Sequence, residues 1–321
     1  MPVHPDLNPS GLNAPSDNRE TPLTLSMGYL GPSGSHSHQA LLTFCKRYLP
    51  DANLAPHEGL LTLMQACAAG ALDAAIVPVE NLLEGSVIEV IETIGLQKEP
   101  ITPVLEWIMP IEHCLIGPQG AVARDIQRVL SHPQALGQCK QTLEALCRPK
   151  LQFEPTPSTS DAVRQLAQFV QSNAATGVAA IGTRIAAQAY DLAILSDNVS
   201  DIAENQTRFW LVTRRDAAAR LKTLFHGILS SDKLKTSLCI AVIERAGALA
   251  DMLAGFKAVG VSLSKLESRP SRKQLGDYYF YMDADGDLSA PAYEAMMRQL
   301  ASSTAYCHLA GVYASLGLLA S

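Results

Sequence analysis

Apolar positions along this chain recur in two rhythms. Short continuous apolar runs alternate with stretches whose apolar residues return every three or four positions, the spacing of one helix face. The run at 25–30 predicts a strand, and Ala40, Leu41, Phe44, Cys45, Tyr48 and Leu49 predict a helix behind it. A second helix is predicted over 59–69, stopping at Gly70. DAAIVPV (73–79) reads as a buried strand, and Val87, Val90, Ile91 and Ile94 form the next helical stripe. ITPVLEWIM (101–109) and HCLIGP (113–118) read as strands. Helices are predicted near 121–130 and 134–147, a strand at LQFEP (151–155), and a helix capped by Ser158 or Ser160 running to about 171. GVAAIG (177–182), LAIL (192–195) and RFWLVT (208–213) read as strands, with a short helix in TRIAAQAY (183–190). Such alternation gives an α/β unit, a parallel or mixed sheet covered by helices.

The rhythm changes at both ends of this unit. Residues 1–23 are rich in Pro, Asn, Ser and Asp without periodicity, and are expected to form a disordered or loosely attached extension. Residues 214–234 are charged, then helical, then loop-like, and read as a connector between a first domain at 24–213 and a second at 235–321. In the second domain the order is strand (235–243), helix (247–260), strand (261–270), strand (277–283), helix (290–302), strand (305–313). That βαββαβ order is the ferredoxin-like unit.

Composition narrows the class. Apolar residues make up 47%, enough for ordinary cores, while 17% are charged and the formal net charge is -6. An acidic balance argues against nucleic acid as a partner, because such binding needs a basic surplus. No apolar run reaches the length of a membrane-spanning helix, and the first residues have no basic, then apolar, secretory pattern. Seven cysteines are scattered with no CxxC pair, the pattern of reduced thiols in a cytoplasmic protein.

In open α/β sheets ligands bind beyond the carboxyl ends of strands. Small polar residues crowd there: Gly31–Ser37, Glu80 and Asn81, Ser158–Ser160, and Gly182–Thr183. Each alone is an ordinary turn or cap, but together they point to one polar cleft. GPSGSHS (31–37) opens a helix whose free N–H groups suit a carboxylate or phosphate. It is neither a P-loop nor GxGxxG. In SHPQALGQC (131–139), Ser131 and Gln138 are neutral groups able to orient a substrate, and His132 reads as a turn residue with a base as the alternative. In ENQTRFW (204–210), Arg208 is a natural fork for a carboxylate. No metal constellation, GxSxG or paired nucleophile and base is seen, so no metal is expected and a hydrolase with an activated serine is unsupported.

These residues resemble the bacterial prephenate dehydratases, a dehydratase domain followed by an ACT regulatory domain. The resemblance covers about 25–320. It is carried by GPSGSHSHQA (31–40), VPVENLLEGSV (77–87), HCLIGP (113–118), SHPQALGQC (131–139), PSTSDAV (157–163), AAIGTRIAAQAYDLAIL (179–195) and NQTRFWLV (205–212), and by GAL (247–249) and LESRP (266–270) in the second domain.

The resemblance implies a site between two α/β lobes arranged as in a periplasmic binding protein, with the last strand returning to the first lobe. It implies prephenate as substrate, losing carbon dioxide and the ring hydroxyl to give phenylpyruvate and water without a cofactor. Thr207 matches the essential threonine, read as a hydrogen-bond donor to the leaving oxygen with Arg208 adding charge and binding a substrate carboxylate. Glu80, Asn81, Ser131, Gln138, Ser35, Ser37, Ser158, Thr159 and Phe209 are expected around the substrate. A dianion meeting Glu80 is awkward, so Glu80 is expected protonated or away from the carboxylates.

Gly247, Ala248, Leu249, Glu267, Ser268, Arg269 and Pro270 are expected to bind L-phenylalanine between protomers of a homodimer or homotetramer. His36 stands where the family usually has an aromatic, and Leu82 where it usually has Ser or Thr. Two other readings stay open: an arogenate dehydratase or dual-specificity enzyme, and a non-catalytic amino-acid sensor.

Overall fold

The computed structural model describes residues 24–147, 151–226, 233–274 and 276–319. The expected extension at 1–23 and the loop-like part of the connector at 227–232 lie outside the described residues. The chain opens with β1 (Ser26–Leu30), α1 (His36–Tyr48), β2 (Asn53–His57), α2 (Leu60–Ala68), β3 (Ala74–Asn81), the short β4 (Gly85–Ser86), α3 (Ile88–Gly95) and β5 (Ile101–Pro110). Burial follows the predicted stripe in α1, whose Ala40, Leu41, Phe44 and Cys45 face inward. Phe44 stacks on Trp107 of β5 with centroids 4.8 Å apart. The strand β2 has no apolar alternation and contains Pro56, which an edge position tolerates.

A second lobe is inserted between two crossing segments. It holds β6 (Cys114–Gly117), β7 (Arg128–Ser131), α4 (Pro133–Gln138), α5 (Lys140–Leu146), β8 (Gln152–Pro155), α6 (Thr159–Gln171), β9 (Val178–Gly182), α7 (Arg184–Ala189) and β10 (Ala193–Ser196), with strand order β10-β6-β9-β7-β8. The helix expected near 121–130 is corrected here. That stretch is a 3-10 turn at Ala123–Asp125 followed by β7. Val122, Ile126 and Val129 imitate a helical spacing, but Val129 and Leu130 pair on both sides with β8 and β9, and tertiary pairing outweighs the local pattern. The crossing segments bond to each other, Ile111 N–H to the Asn205 carbonyl and Val199 N–H to that of His113, both at 2.8 Å.

The chain then returns as β11 (Gln206–Arg214), lying antiparallel between β3 and β5 in the first lobe, and continues through α8 (Ala218–His226). The rest is β12 (Leu234–Val242), α9 (Ala248–Ala258), β13 (Leu263–Pro270), β14 (Tyr278–Asp285), α10 (Glu294–Ser303) and β15 (Thr304–Leu318). Its strands run in the order β13-β14-β12-β15. One face is covered by α9 and α10 over Leu238, Ile240, Phe256, Met282 and Leu300.

The other face lies on α3 of the first lobe. Gly95 makes that approach possible: a Cβ there would sit 2.7 Å from the Tyr281 ring and 3.1 Å from Cys239 Cβ. A further contact was not legible in the sequence. β15 pairs in parallel with β5, Ala314 opposite Leu105 and Ser315 opposite Glu106. The first lobe and the C-terminal unit therefore share one ten-stranded sheet.

Candidate active site

A cleft of about 450 Å³ opens between the lobes. On one side stand Ser35, His36 and Ser37 at the start of α1, Asn81 at the end of β3, and Thr207 and Phe209 of β11; on the other stand His132 and Gln138 around α4 and Ser158 and Thr159 at the start of α6. The Gly loop also touches the second lobe. Gly34 has φ +87° and a Cβ there would lie 2.8 Å from that of Ala186, while Thr183 Oγ1 donates to the Gly34 carbonyl at 2.6 Å.

Asn81 is the best-determined group in the cleft. Its Oδ1 accepts from the Leu83 N–H at 3.0 Å and the Glu84 N–H at 3.2 Å. That fixes the amide orientation, so Nδ2 faces β11 and donates to Asn205 Oδ1 and Thr207 Oγ1, each at 2.9 Å. With its oxygen already accepting from Asn81, Thr207 keeps its own proton free to donate. A similar argument sets the neighbouring imidazole. Gln138 Nε2 donates to Glu84 Oε1 at 3.0 Å, so its Oε1 accepts from His113 Nε2 at 3.3 Å. Burial lowers the His113 pKa, opposed by that bond. Next to it, burial and then His113 hold His36 down to about 3, and the rings meet edge to face at 5.2 Å.

The remaining expected residues divide. Ser35 caps α1, accepting from His38 N–H at 3.1 Å and donating to the Leu30 carbonyl at 2.6 Å. Ser158 caps α6, accepting from Asp161 N–H at 3.0 Å. Phe209 reaches the cleft from the core, where it stacks on Trp107. Three expectations are corrected. Ser131 is fully buried and donates to the Ile181 carbonyl at 3.1 Å inside the second-lobe sheet, away from the cleft lining. Arg208 lies on the opposite face of β11 from Thr207, because successive strand residues alternate. Its Nη1 meets Glu106 at 2.7 Å and Asp283 at 2.6 Å, and its Nη2 meets Glu80 at 3.2 Å. Burial opposes this charge, but Asp283 and then Glu106 keep the guanidinium firmly protonated. Glu80 likewise turns from the cleft, toward Arg208 and toward Lys265 at 3.3 Å.

No Lys or Arg stands in the cleft lining among the described residues, and Glu84 is its one carboxylate. Positive potential comes instead from the starts of α1 and α6, each thirteen residues long, whose first N–H groups have no partner within the helix. Among the described residues no group of three His, Cys, Asp or Glu could hold a metal. His113, Asn205 and Glu84 were not singled out from the sequence, although each sits inside a quoted motif.

In the C-terminal unit Gly247, Ala248 and Leu249 line a second cavity of about 570 Å³ with Arg245, Tyr278 and Tyr306. Glu267, Ser268, Arg269 and Pro270 lie on β13 outside it. Glu267 turns to the first lobe, where it takes a short hydrogen bond from Ser86, and Ser268 is exposed. One chain does not bring the two motifs to a common cavity.

A polar cleft between two α/β lobes, with a βαββαβ unit joined behind it, defines a two-lobed small-molecule site with an appended unit. Comparison makes this specific. The family model for prephenate dehydratase matches residues 27–217, so the chain belongs to the prephenate dehydratase family, whose members are lyases. A prephenate dehydratase of Lactococcus lactis subsp. cremoris (strain MG1363) is 33% identical over 270 residues, 82% of this chain and 88% of that one. An arogenate dehydratase/prephenate dehydratase 2 of Arabidopsis thaliana is 30% identical over 296 residues, 89% of this chain and 72% of its own. The crystal structure of a prephenate dehydratase from Arthrobacter aurescens in complex with L-Phe superposes with a TM-score of 0.75 at 28% identity, covering 90% of each chain.

Proposed function

We propose that this protein converts prephenate to phenylpyruvate, carbon dioxide and water, with Thr207 at the leaving oxygen. The observation that carries the reading is the Asn81 Nδ2 to Thr207 Oγ1 hydrogen bond at 2.9 Å in the cleft. A threonine hydroxyl is too weak an acid to give up its proton outright. It donates a hydrogen bond to the departing hydroxyl as charge builds there, and the proton that completes water comes from solvent. Such a preorganised donor acts where charge develops, which is where electrostatic stabilisation is largest.

The two substrate carboxylates are held by neutral groups: the N–H ends of α1 and α6 with Ser37 and Thr159, and Gln138 from the second lobe. Aromatisation supplies the drive, so the protein mainly orients. The test is phenylpyruvate formation by purified protein, followed by absorbance; spontaneous decay alone would end the proposal. The arogenate reading has one supporting observation. Glu84, the lone carboxylate of the lining, suits the ammonium that arogenate carries in place of a keto oxygen. Steady-state rates on both substrates decide between them.

The 235–321 unit is read as an ACT domain that binds L-phenylalanine. Its βαββαβ order, the cavity at the start of α9 and the relative solved with L-Phe support this. The exposed face of the edge strand β13, with Leu266 and Ser268, suits pairing with a second copy, in a homodimer or homotetramer that joins Gly247–Leu249 of one protomer to Glu267–Pro270 of another. Calorimetric titration of L-phenylalanine into the wild type and Gly247→Val tests it. Seven free cysteines, six of them buried, fit a reducing cytoplasmic setting.

A further inference from the structure

We propose that Arg208 is a positioning residue through which the C-terminal unit fixes Thr207. The inference rests on the dehydratase reading of the cleft. β3 and β11 carry two neighbouring rungs, Thr207 opposite Asn81 and Arg208 opposite Glu80. The first pair meets on the cleft face and the second on the back face, toward the C-terminal unit. There four cations (Arg208, Lys235, Lys265, Arg269) face four carboxylates (Glu80, Glu106, Asp283, Glu267).

The centre of the cluster is closed to solvent: the side chains of Arg208, Glu106 and Asp283 are 10%, 0% and 5% exposed. Asp283 belongs to β14 and is held by a short hydrogen bond from Ser237, which also bonds Tyr313 OH at 2.9 Å. Glu106 is held by Lys235 at 2.8 Å and Ser315 at 2.9 Å. Lys265 of β13 joins Glu80 to Glu267 at 3.3 and 3.6 Å. A guanidinium so enclosed does not leave two buried carboxylates to meet a substrate, since each would be stranded uncompensated. Its position is therefore set jointly by Glu106 of β5 and Asp283 of β14, and the adjoining backbone carries Thr207 with it.

The test uses the full-length enzyme and Asp283→Asn, which keeps shape and removes one charge. Expected is a kcat at least about tenfold lower with KM within about twofold, because a small displacement of a reacting group costs rate rather than binding. Asp283→Glu restores part of it. In a Thr207→Ala background Asp283→Asn lowers kcat no further, as residues acting through one group are non-additive. Wild-type kcat in the folded single variant overturns the proposal, and so do penalties that multiply in the double variant. If Asp283→Asn does not fold, Ser237→Ala carries the same test, with a smaller kcat loss that vanishes in the Thr207→Ala background. Wild-type turnover by Thr207→Ala itself would instead fail the dehydratase reading of the site.

Discussion

Asn81 donates to Thr207 Oγ1 at 2.9 Å on one face of the β3–β11 pair, one rung from the Glu80–Arg208 ion pair on the other face. The amide donates to the hydroxyl oxygen, so the proton of Thr207 is not committed to Asn81. Thr207→Ala should lower kcat by about 10²–10³-fold, the usual cost of one preorganised donor, with KM little changed. Thr207→Ser should recover much of that. Turnover measured by phenylpyruvate absorbance checks both, and equal rates for wild type and Thr207→Ala would refute the role.

The two members of the Ser/Gln motif should separate. Gln138 bridges the lobes to Glu84 and lines the cleft, whereas Ser131 is tied into its own sheet. Gln138→Ala should raise KM by about tenfold, on the order of the 1–3 kcal/mol lost with a polar partner. Ser131→Ala should leave KM alone and cost about 1 kcal/mol of stability. A KM that rises for Ser131→Ala with unchanged stability would contradict its placement.

The contact of α3 with the C-terminal sheet leaves no room at Gly95. Gly95→Ala should destabilise by about 1–3 kcal/mol, as overpacking does. Gly255, in α9, has open space where its Cβ would be, so Gly255→Ala should stabilise by about 0.5–1 kcal/mol. Urea unfolding of the pair reads both signs in one experiment.

Acid should weaken the fold through two imidazoles, the half-buried His36 and the buried His308. Burial and His113 hold His36 down to about 3, and burial and Arg215 hold His308 down to about 4, against an ordinary value of 6.5. Between those limits the unfolded chain binds more protons than the folded one. Stability is therefore full above about 6.5 and falls as pH drops toward 4 and then 3. Thermal melts at pH 7 and pH 5 should show the loss, and His36→Phe and His308→Gln should each narrow the gap. A gap as wide in both variants would rule these imidazoles out as the cause.

Local pattern made most elements readable. Strand β11 followed from RFWLVT, and α1 from a stripe of six apolar residues, because each packs one face on a core. The polar strand ends pointed to the cleft for the same reason. The destination of Arg208 was not readable. Its partners Glu106 and Asp283 lie 102 and 75 positions away, so no spacing rule joins them. The place of Ser131 was not readable either, because a serine at a strand end looks the same whether it faces a ligand or a neighbouring carbonyl. The strand at 128–131 hid inside a false helical spacing, which pairing with two neighbours overrode.

The parallel rung between β5 and β15 bears on how this chain can be divided. Cutting at residue 213, where the alternation of elements suggests a boundary, would strip β5 of one neighbour. Its run from Ile101 to Trp107 is buried throughout, so the fragment would end in a bare, greasy edge, with Glu106 keeping Arg208 but losing Lys235 and Ser315. Such an edge recruits other chains. The truncated first domain should scatter light and sediment as aggregates where the intact chain stays clear.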